Sequence, residues 1–188
     1  MASNRQRLAV ALLTISASGF GAWIASEGSG PTTVQPGVGK VHHAYVPTKG
    51  DVPTIGHGST RYEDGTPVKL TDKPISSERA KQLARNLFSE DERRFRASIP
   101  GVKLFQDEYD LYLDFTGQYG IGNWRNSSMR SNLLAGDYPA ACQSLLKWRN
   151  QAGRDCSKPQ NWGPKGCKGV WTRQQERHAK CMAAQVDQ

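Results

Sequence analysis

The sequence predicts an α+β fold, in which a small antiparallel β-sheet lobe leads into a mainly helical lobe and an N-terminal hydrophobic helix precedes both. Three observations carry this reading. Residues 8–26 are uncharged and largely apolar, residues 51–70 hold short β-branched pieces broken by Gly and Pro, and from Ser76 onward apolar residues recur at helical spacing.

The N-terminal run "LAVALLTISASGFGAWIAS" follows Arg5 and Arg7 and, at residues 8–26, is about long enough to cross a bilayer as a helix. It is rich in Ala, Gly, Ser and Thr, and a central Leu or Ile contributes only about −0.3 to −0.6 kcal/mol to insertion, so the span is weak and able to leave the membrane. Arginines on its N-terminal side favour an N-in orientation that places the rest of the chain beyond the cytoplasmic membrane. The competing reading is an ordinary signal peptide cut near the small residues 16–18.

The next stretch, "EGSGPTTVQPGVGKVHH", reads as a flexible connector. The expected division is therefore an anchor over 1–26, a connector over 27–43 and the main domain over 44–188. Within that domain, "EDGT" (Glu63 to Thr66) supplies an Asp-Gly hairpin turn to the small sheet. Ala80, Leu83, Ala84, Leu87 and Phe88 then mark one face of a long amphipathic helix, with Ser76 or Ser77 as its N-cap and Pro100 beyond its end. Further helical patterns cover residues 106–117, 127–135, 138–149 and 172–184, punctuated by Gly136, Gly153 and Gly169.

Charge is unevenly placed. Residues 118–188 hold eleven Lys/Arg against four Asp/Glu, whereas residues 27–117 are nearly balanced, so the net charge of +8 is a C-terminal property. Such a half suits an anionic partner, be it nucleic acid, lipid or wall polymer, or simply a well-solvated surface. All four cysteines lie there too, consistent with an oxidising compartment. Cys156 and Cys167 bracket the loop "SKPQNWGPKG" and are the preferred pair, which leaves Cys142 with Cys181; four cysteines allow three connectivities. Zinc is the weaker explanation, since no CxxC occurs and His178 is the only nearby histidine.

Four ordered segments, "AYVPTKGDVPTIGHGST", "LDFTGQYGIGNW", "SSMRSNLLAGDYPAACQSLLKWRNQAG" and "GVWTRQQERHAKC", resemble successive parts of phage-type lysozymes, the endolysins of glycoside hydrolase family 24. With the N-terminal run added, the chain is similar to signal-arrest-release endolysins, which are exported as tethered, inactive forms and later freed to cut the wall. The resemblance implies a lysozyme-like fold, no cofactor, no metal, and peptidoglycan as substrate. It implies cleavage of the β-1,4 bond between N-acetylmuramic acid and N-acetylglucosamine. It also implies a monomer of the host periplasm, tethered at first to the inner membrane and cooperating with a holin-type protein.

Glycoside hydrolysis needs a protonated acid at the leaving oxygen and a second carboxylate that handles water or the positive charge on the sugar. Glu27 is the only acid among the first fifty residues, and Asp51 is the only one between positions 28 and 62. The family places a Glu-Gly dipeptide seven residues before the Tyr, but that position before Tyr45 holds Val38, followed by Gly39. Either the acid is lost, or Glu27-Gly28 is the dipeptide, displaced by an insertion of eleven residues. Glu27 is then the general acid, Asp51 the water-handling carboxylate, and Thr54 the residue that helps hold the water. The resemblance further implies sugar-binding roles for Tyr119, Asn123 and Trp124, and a bracing role for Arg177. His57, three residues after Thr54, is a candidate for substrate contact or a structural histidine. Alternatives in play are a lytic transglycosylase on the same bond and an inactive wall-binding relative; nucleic-acid binding fits export and disulfides poorly. On the tethered reading, residues 1–26 are dispensable for the soluble enzyme.

Overall fold

The computed structural model describes residues 6–186, with Ser26 and Glu27 described by backbone alone; the expected flanking Arg5 lies outside the described residues. The chain divides into two compact units, one of residues 17–93 and the other formed by the segment up to Ser16 with the chain from Arg94 onward.

In the unit of residues 17–93, helix α1 (Ala17–Glu27) precedes a three-stranded antiparallel sheet of order β2 (Thr32–Gln35), β3 (Gly39–His42) and β4 (Ile75–Ser76). Thr32 pairs with His42 and Gln35 with Gly39, while Val41 pairs with Ser76. The stretch expected as a flexible connector is thus a hairpin, its β-branched Thr32, Thr33 and Val34 supplying the strand and Gly37 and Gly39 the turn. Its outer strand is exposed, which is why no apolar alternation betrays it.

Residues 51–70 hold less regular strand than expected. Single antiparallel bridges join Tyr45 to Thr54, Ile55 to Ser59 and Arg61 to Pro67, the last closing the Asp-Gly turn, where Tyr62 N donates to Thr66 O at 2.9 Å. Helix α2 (Ser77–Ser98) follows. Ser76 Oγ accepts from Arg79 N at 3.2 Å, so Ser76 is the cap. Ala80, Leu83, Ala84 and Phe88 are buried as the periodicity requires, but Leu87 is exposed at the edge of the stripe. Ile55, Val68 and Leu83 form one apolar cluster with Ala44, Tyr62 and Ile75 against it. A second is aromatic: Trp23 meets Phe88 edge-on at 5.0 Å and stacks on Phe20 at 5.9 Å.

In the other unit, β1 (Leu8–Ala9) pairs antiparallel with β5 (Lys103–Leu104), and Val10 and Leu13 are buried. The hydrophobic run expected as one helix is therefore a short strand, a 3-10 turn over Val10–Leu12 and α1, and its apolar residues line protein cores. Among the described residues no helix is long and apolar enough to cross a membrane. Removing residues 1–26 would take away β1 and the buried Val10, Leu13, Phe20 and Trp23.

Helix α3 (Gln106–Arg125) is broken at Gly120, whose φ of 83° lies outside the helical region, and it runs beyond the expected end near residue 117. It leads to α4 (Ser128–Leu134), capped by Ser127, and α5 (Tyr138–Ser144), capped by Asp137. A two-stranded ribbon of β6 (Asn150–Gln151) and β7 (Arg154–Asp155) precedes α6 (Lys168–Val186). Phe95, Tyr109, Tyr112, Phe115 and Trp124 fill the core. Cys142 is bonded to Cys181, fastening α5 to α6, and Cys156 to Cys167, closing the loop between β7 and α6, as the spacing favoured.

Candidate functional site

The candidate residues of the first unit converge on the turn that follows α1. That helix ends at Glu27, and its last turn contains no basic side chain to satisfy the carbonyls left open at a helix C-terminus. Two imidazoles bond the carbonyls of the two residues that follow the helix. His57 Nδ1 lies 2.6 Å from Gly28 O, and His42 Nδ1 lies 3.1 Å from Ser29 O. The two rings are neighbours, with centroids 5.3 Å apart. Burial holds the His42 imidazole below its ordinary value, opposed by its bond to Ser29 O. Gly30 lies against Tyr45: a Cβ there would stand 2.2 Å from Cε1 of the ring, so only glycine fits, and its φ of +59° suits glycine as well.

Tyr45 and Thr54 exchange reciprocal backbone hydrogen bonds of 2.8 Å, closing the base of the loop that carries Asp51. Within it, the Asp51 carboxylate accepts from Thr48 N at 3.1 Å and from the Thr48 hydroxyl. Asp51 N donates to Thr48 O at 3.0 Å, and the side chain is exposed. Thr54 is 5% exposed, and its hydroxyl donates to Val52 O at 3.1 Å, which leaves its lone pairs as acceptors. One unit thus brings together the backbone at Glu27, His57, Tyr45, Thr54 and the Asp51 loop. Val38, seven residues before Tyr45, is an exposed residue of the β2–β3 turn.

The other unit holds the remaining candidates. Arg177 is 5% exposed and donates from Nε at 2.9 Å to Asp114 Oδ2, while Arg173 Nη2 reaches Asp114 Oδ1 at 3.0 Å. Burial draws the Arg177 guanidinium below its ordinary value, and Asp114 works against it. Arg177 Nη1 is buried and has no hydrogen-bond partner among the described residues. Tyr119 is half-buried and stacked on Phe115, its hydroxyl accepting from Gln174 Nε2 at 2.7 Å and donating to Trp148 O at 3.2 Å. Asn123 is exposed, its amide donating to Tyr119 O at 2.8 Å. Trp124 is fully buried, with Nε1 donating to Ser98 Oγ at 2.8 Å, so it offers no face to a sugar ring; it is core. Among the described residues no group of His, Cys, Asp and Glu could hold a metal ion.

Sequence reasoning did not single out His42, Tyr45 as a packing partner of Gly30, or Asp114. The His42-His43 doublet was a visible signal once the hairpin was known, and Asp114 stood inside the motif "LDFTGQYGIGNW".

Solved structures with the same fold include a P22 lysozyme mutant, with a TM-score of 0.67 and 23% identity over 91% of this chain and 99% of that one. An endolysin from Escherichia coli O157:H7 phage FAHEc1 gives 0.64 and 21% over 91% and 94%. The muramidase domain of SpmX from Asticaccaulis excentricus gives 0.60 and 16% over 90% and 97%. No curated protein matches the chain. The model of the family described as phage lysozyme matches residues 38–161, well over half the sequence. The chain belongs to the phage lysozyme family.

Proposed function

We propose that the protein is an endolysin that hydrolyses the β-1,4 bond between N-acetylmuramic acid and N-acetylglucosamine in peptidoglycan, with Glu27 as general acid and Asp51 as the carboxylate that directs water. The observation that carries this is the grip on the turn after Glu27: Gly28 is bonded to His57, and Gly30 packs on Tyr45, itself paired with Thr54. These contacts link the one acid of the N-terminal fifty residues to the Thr-Ile-Gly segment and the Asp51 loop. In the reaction the Glu27 proton passes to the glycosidic oxygen as the bond to the anomeric carbon breaks. Water attacks that carbon with Asp51 taking its proton, and Thr54 Oγ accepts a hydrogen bond from the same water. This reading keeps Arg177 as a supporting residue and Tyr119 and Asn123 as candidates for sugar binding.

The test is a turbidity assay on purified walls. Glu27→Gln and Asp51→Asn should each reduce lysis by at least about 10²-fold while wall binding persists; full lysis by both would remove the proposed site. The mass of the fragments separates hydrolysis, which adds water, from a transglycosylase reaction, which leaves an anhydro sugar.

The export route proposed is signal arrest and release. Residues 8–26 first cross the inner membrane and then enter the folded enzyme in the periplasm. The burial of Val10, Leu13, Phe20 and Trp23 supports retention of this run over cleavage near residues 16–18. Intact mass of the periplasmic protein should show Arg7 present, and a mature form starting near residue 18 would overturn this route.

A further inference from the structure

From the grip on the α1 turn we infer that His57, assisted by His42, is a positioning residue for the general acid: it fixes the peptide that follows Glu27 and so holds the acid in register with the Asp51–Thr54 loop. The inference rests on the reading of Glu27 as the acid and goes beyond it, since neither imidazole need touch the substrate.

The argument is one of constraint. The turn reads Glu27-Gly28-Ser29-Gly30, with φ of +73° at Gly28 and +59° at Gly30. Two glycines make it the least restricted way out of a helix, because glycine has the largest choice of backbone conformations to lose. Left alone, such a turn would let the last residue of α1 wander, and a catalytic group displaced by about 1 Å can cost on the order of 10²-fold in rate. The structure supplies three restraints on three consecutive residues: His57 on the carbonyl of Gly28, His42 on that of Ser29, and the Tyr45 ring against Gly30.

The carbonyl acceptors fix which ring nitrogen donates. A carbonyl oxygen only accepts, so Nδ1 of each histidine carries the hydrogen. On the other side of its ring, His42 Nε2 stands 3.1 Å from Ser77 Oγ, which also lies 3.2 Å from Lys40 O. His57 is 7% exposed and comes three residues after Thr54 in the same chain segment. A single short stretch therefore delivers the hydroxyl that holds water and the imidazole that holds the acid's backbone.

The test compares His57→Asn, His57→Gln and His57→Leu in the full-length enzyme, with Glu27→Gln alongside. Asn presents an N–H close to where the imidazole Nδ1 stands, whereas Gln presents one nearer Nε2. His57→Leu should lower kcat on the order of 10²-fold with KM for wall fragments unchanged within about threefold, and His57→Asn should recover most of it where His57→Gln does not. His57→Leu with near-parental kcat beside an inactive Glu27→Gln overturns the positioning role and leaves the catalytic reading intact. Full activity of Glu27→Gln overturns both. Should the Leu variant fail to fold, the two polar variants decide: equal kcat for Asn and Gln refutes the inference, and a tenfold or greater advantage for Asn sustains it.

Discussion

Arg7 and Glu108 form a two-pronged ion pair: Arg7 Nε and Nη2 donate to the two carboxylate oxygens at 3.1 and 3.0 Å, with the Glu108 side chain only 1% exposed. The guanidinium also lies 3.8 Å from the centre of the Tyr138 ring and 4.6 Å from that of Phe105, and Gln185 and the Phe105 amide complete the shell of Glu108. Removing one member of a buried pair leaves an uncompensated charge, at a cost of about 3–5 kcal/mol. Arg7→Met should lower stability to urea by that order, and Arg7→Met with Glu108→Leu should recover a large part. A single variant within about 1 kcal/mol of the parent would show that the pair does not anchor the N-terminal segment.

The two disulfides should differ in weight. Cys142–Cys181 spans 39 residues and Cys156–Cys167 spans 11, and on the chain-entropy account the longer closure contributes about 1 kcal/mol more. Replacing Cys142 and Cys181 together by Ala should therefore depress the urea midpoint further than replacing the other two. The reverse order would mean that contacts inside the short loop, such as Trp162 Nε1 on Cys156 O at 2.8 Å, matter more than closure.

His42 makes stability depend on pH in a definite direction. Its folded-state proton affinity is depressed, chiefly by burial, so between the lowered folded value and the unfolded value of about 6.5 the unfolded chain binds the extra proton. Stability is full above pH 6.5 and declines as the pH falls below it, until the folded imidazole is itself protonated. Urea titrations at a series of pH values should show this decline in the parent and a flatter curve in His42→Asn. Identical slopes would assign the dependence elsewhere.

Gly30→Ala and Gly37→Ala offer a matched contrast. Both positions have positive φ, +59° and +76°, and so share a backbone penalty of about 1 kcal/mol. Only at Gly30 would the new methyl meet a ring, whereas nothing lies within 4 Å at Gly37. Gly30→Ala should cost a further 1–3 kcal/mol or so from overpacking and should lower kcat, while Gly37→Ala should leave lysis unchanged. Equal effects would mean that Tyr45 swings aside without consequence.

Much of the fold was legible where local rules are strong. Ser76 as cap, the apolar stripe of α2, the Asp-Gly turn and the two cysteine pairs all rest on short-range patterns that the three-dimensional fold keeps. The hairpin of residues 32–42 was not legible, since both faces of β2 meet solvent and its Gly-Pro content imitates a linker. Nor was the destination of residues 8–26, because a bilayer and a protein core make the same demand on side-chain polarity. Trp124 shows the same limit: an aromatic residue in a segment expected to bind sugar is equally suited to closing the core. Of the candidate site, the sequence offered the acids but not the grip on the turn after Glu27, which depends on imidazoles from β3 and from the segment after Thr54.

The N-terminal run keeps Val10, Leu13, Phe20 and Trp23 inward, yet Ala11, Leu12, Ala17, Gly21 and Ala22 face water in the folded protein. On the proposed export route those outward positions can gain or lose greasiness without disturbing the interior. On that route the timing of release from the membrane would be adjustable through these outward positions, independently of the proposed catalytic residues.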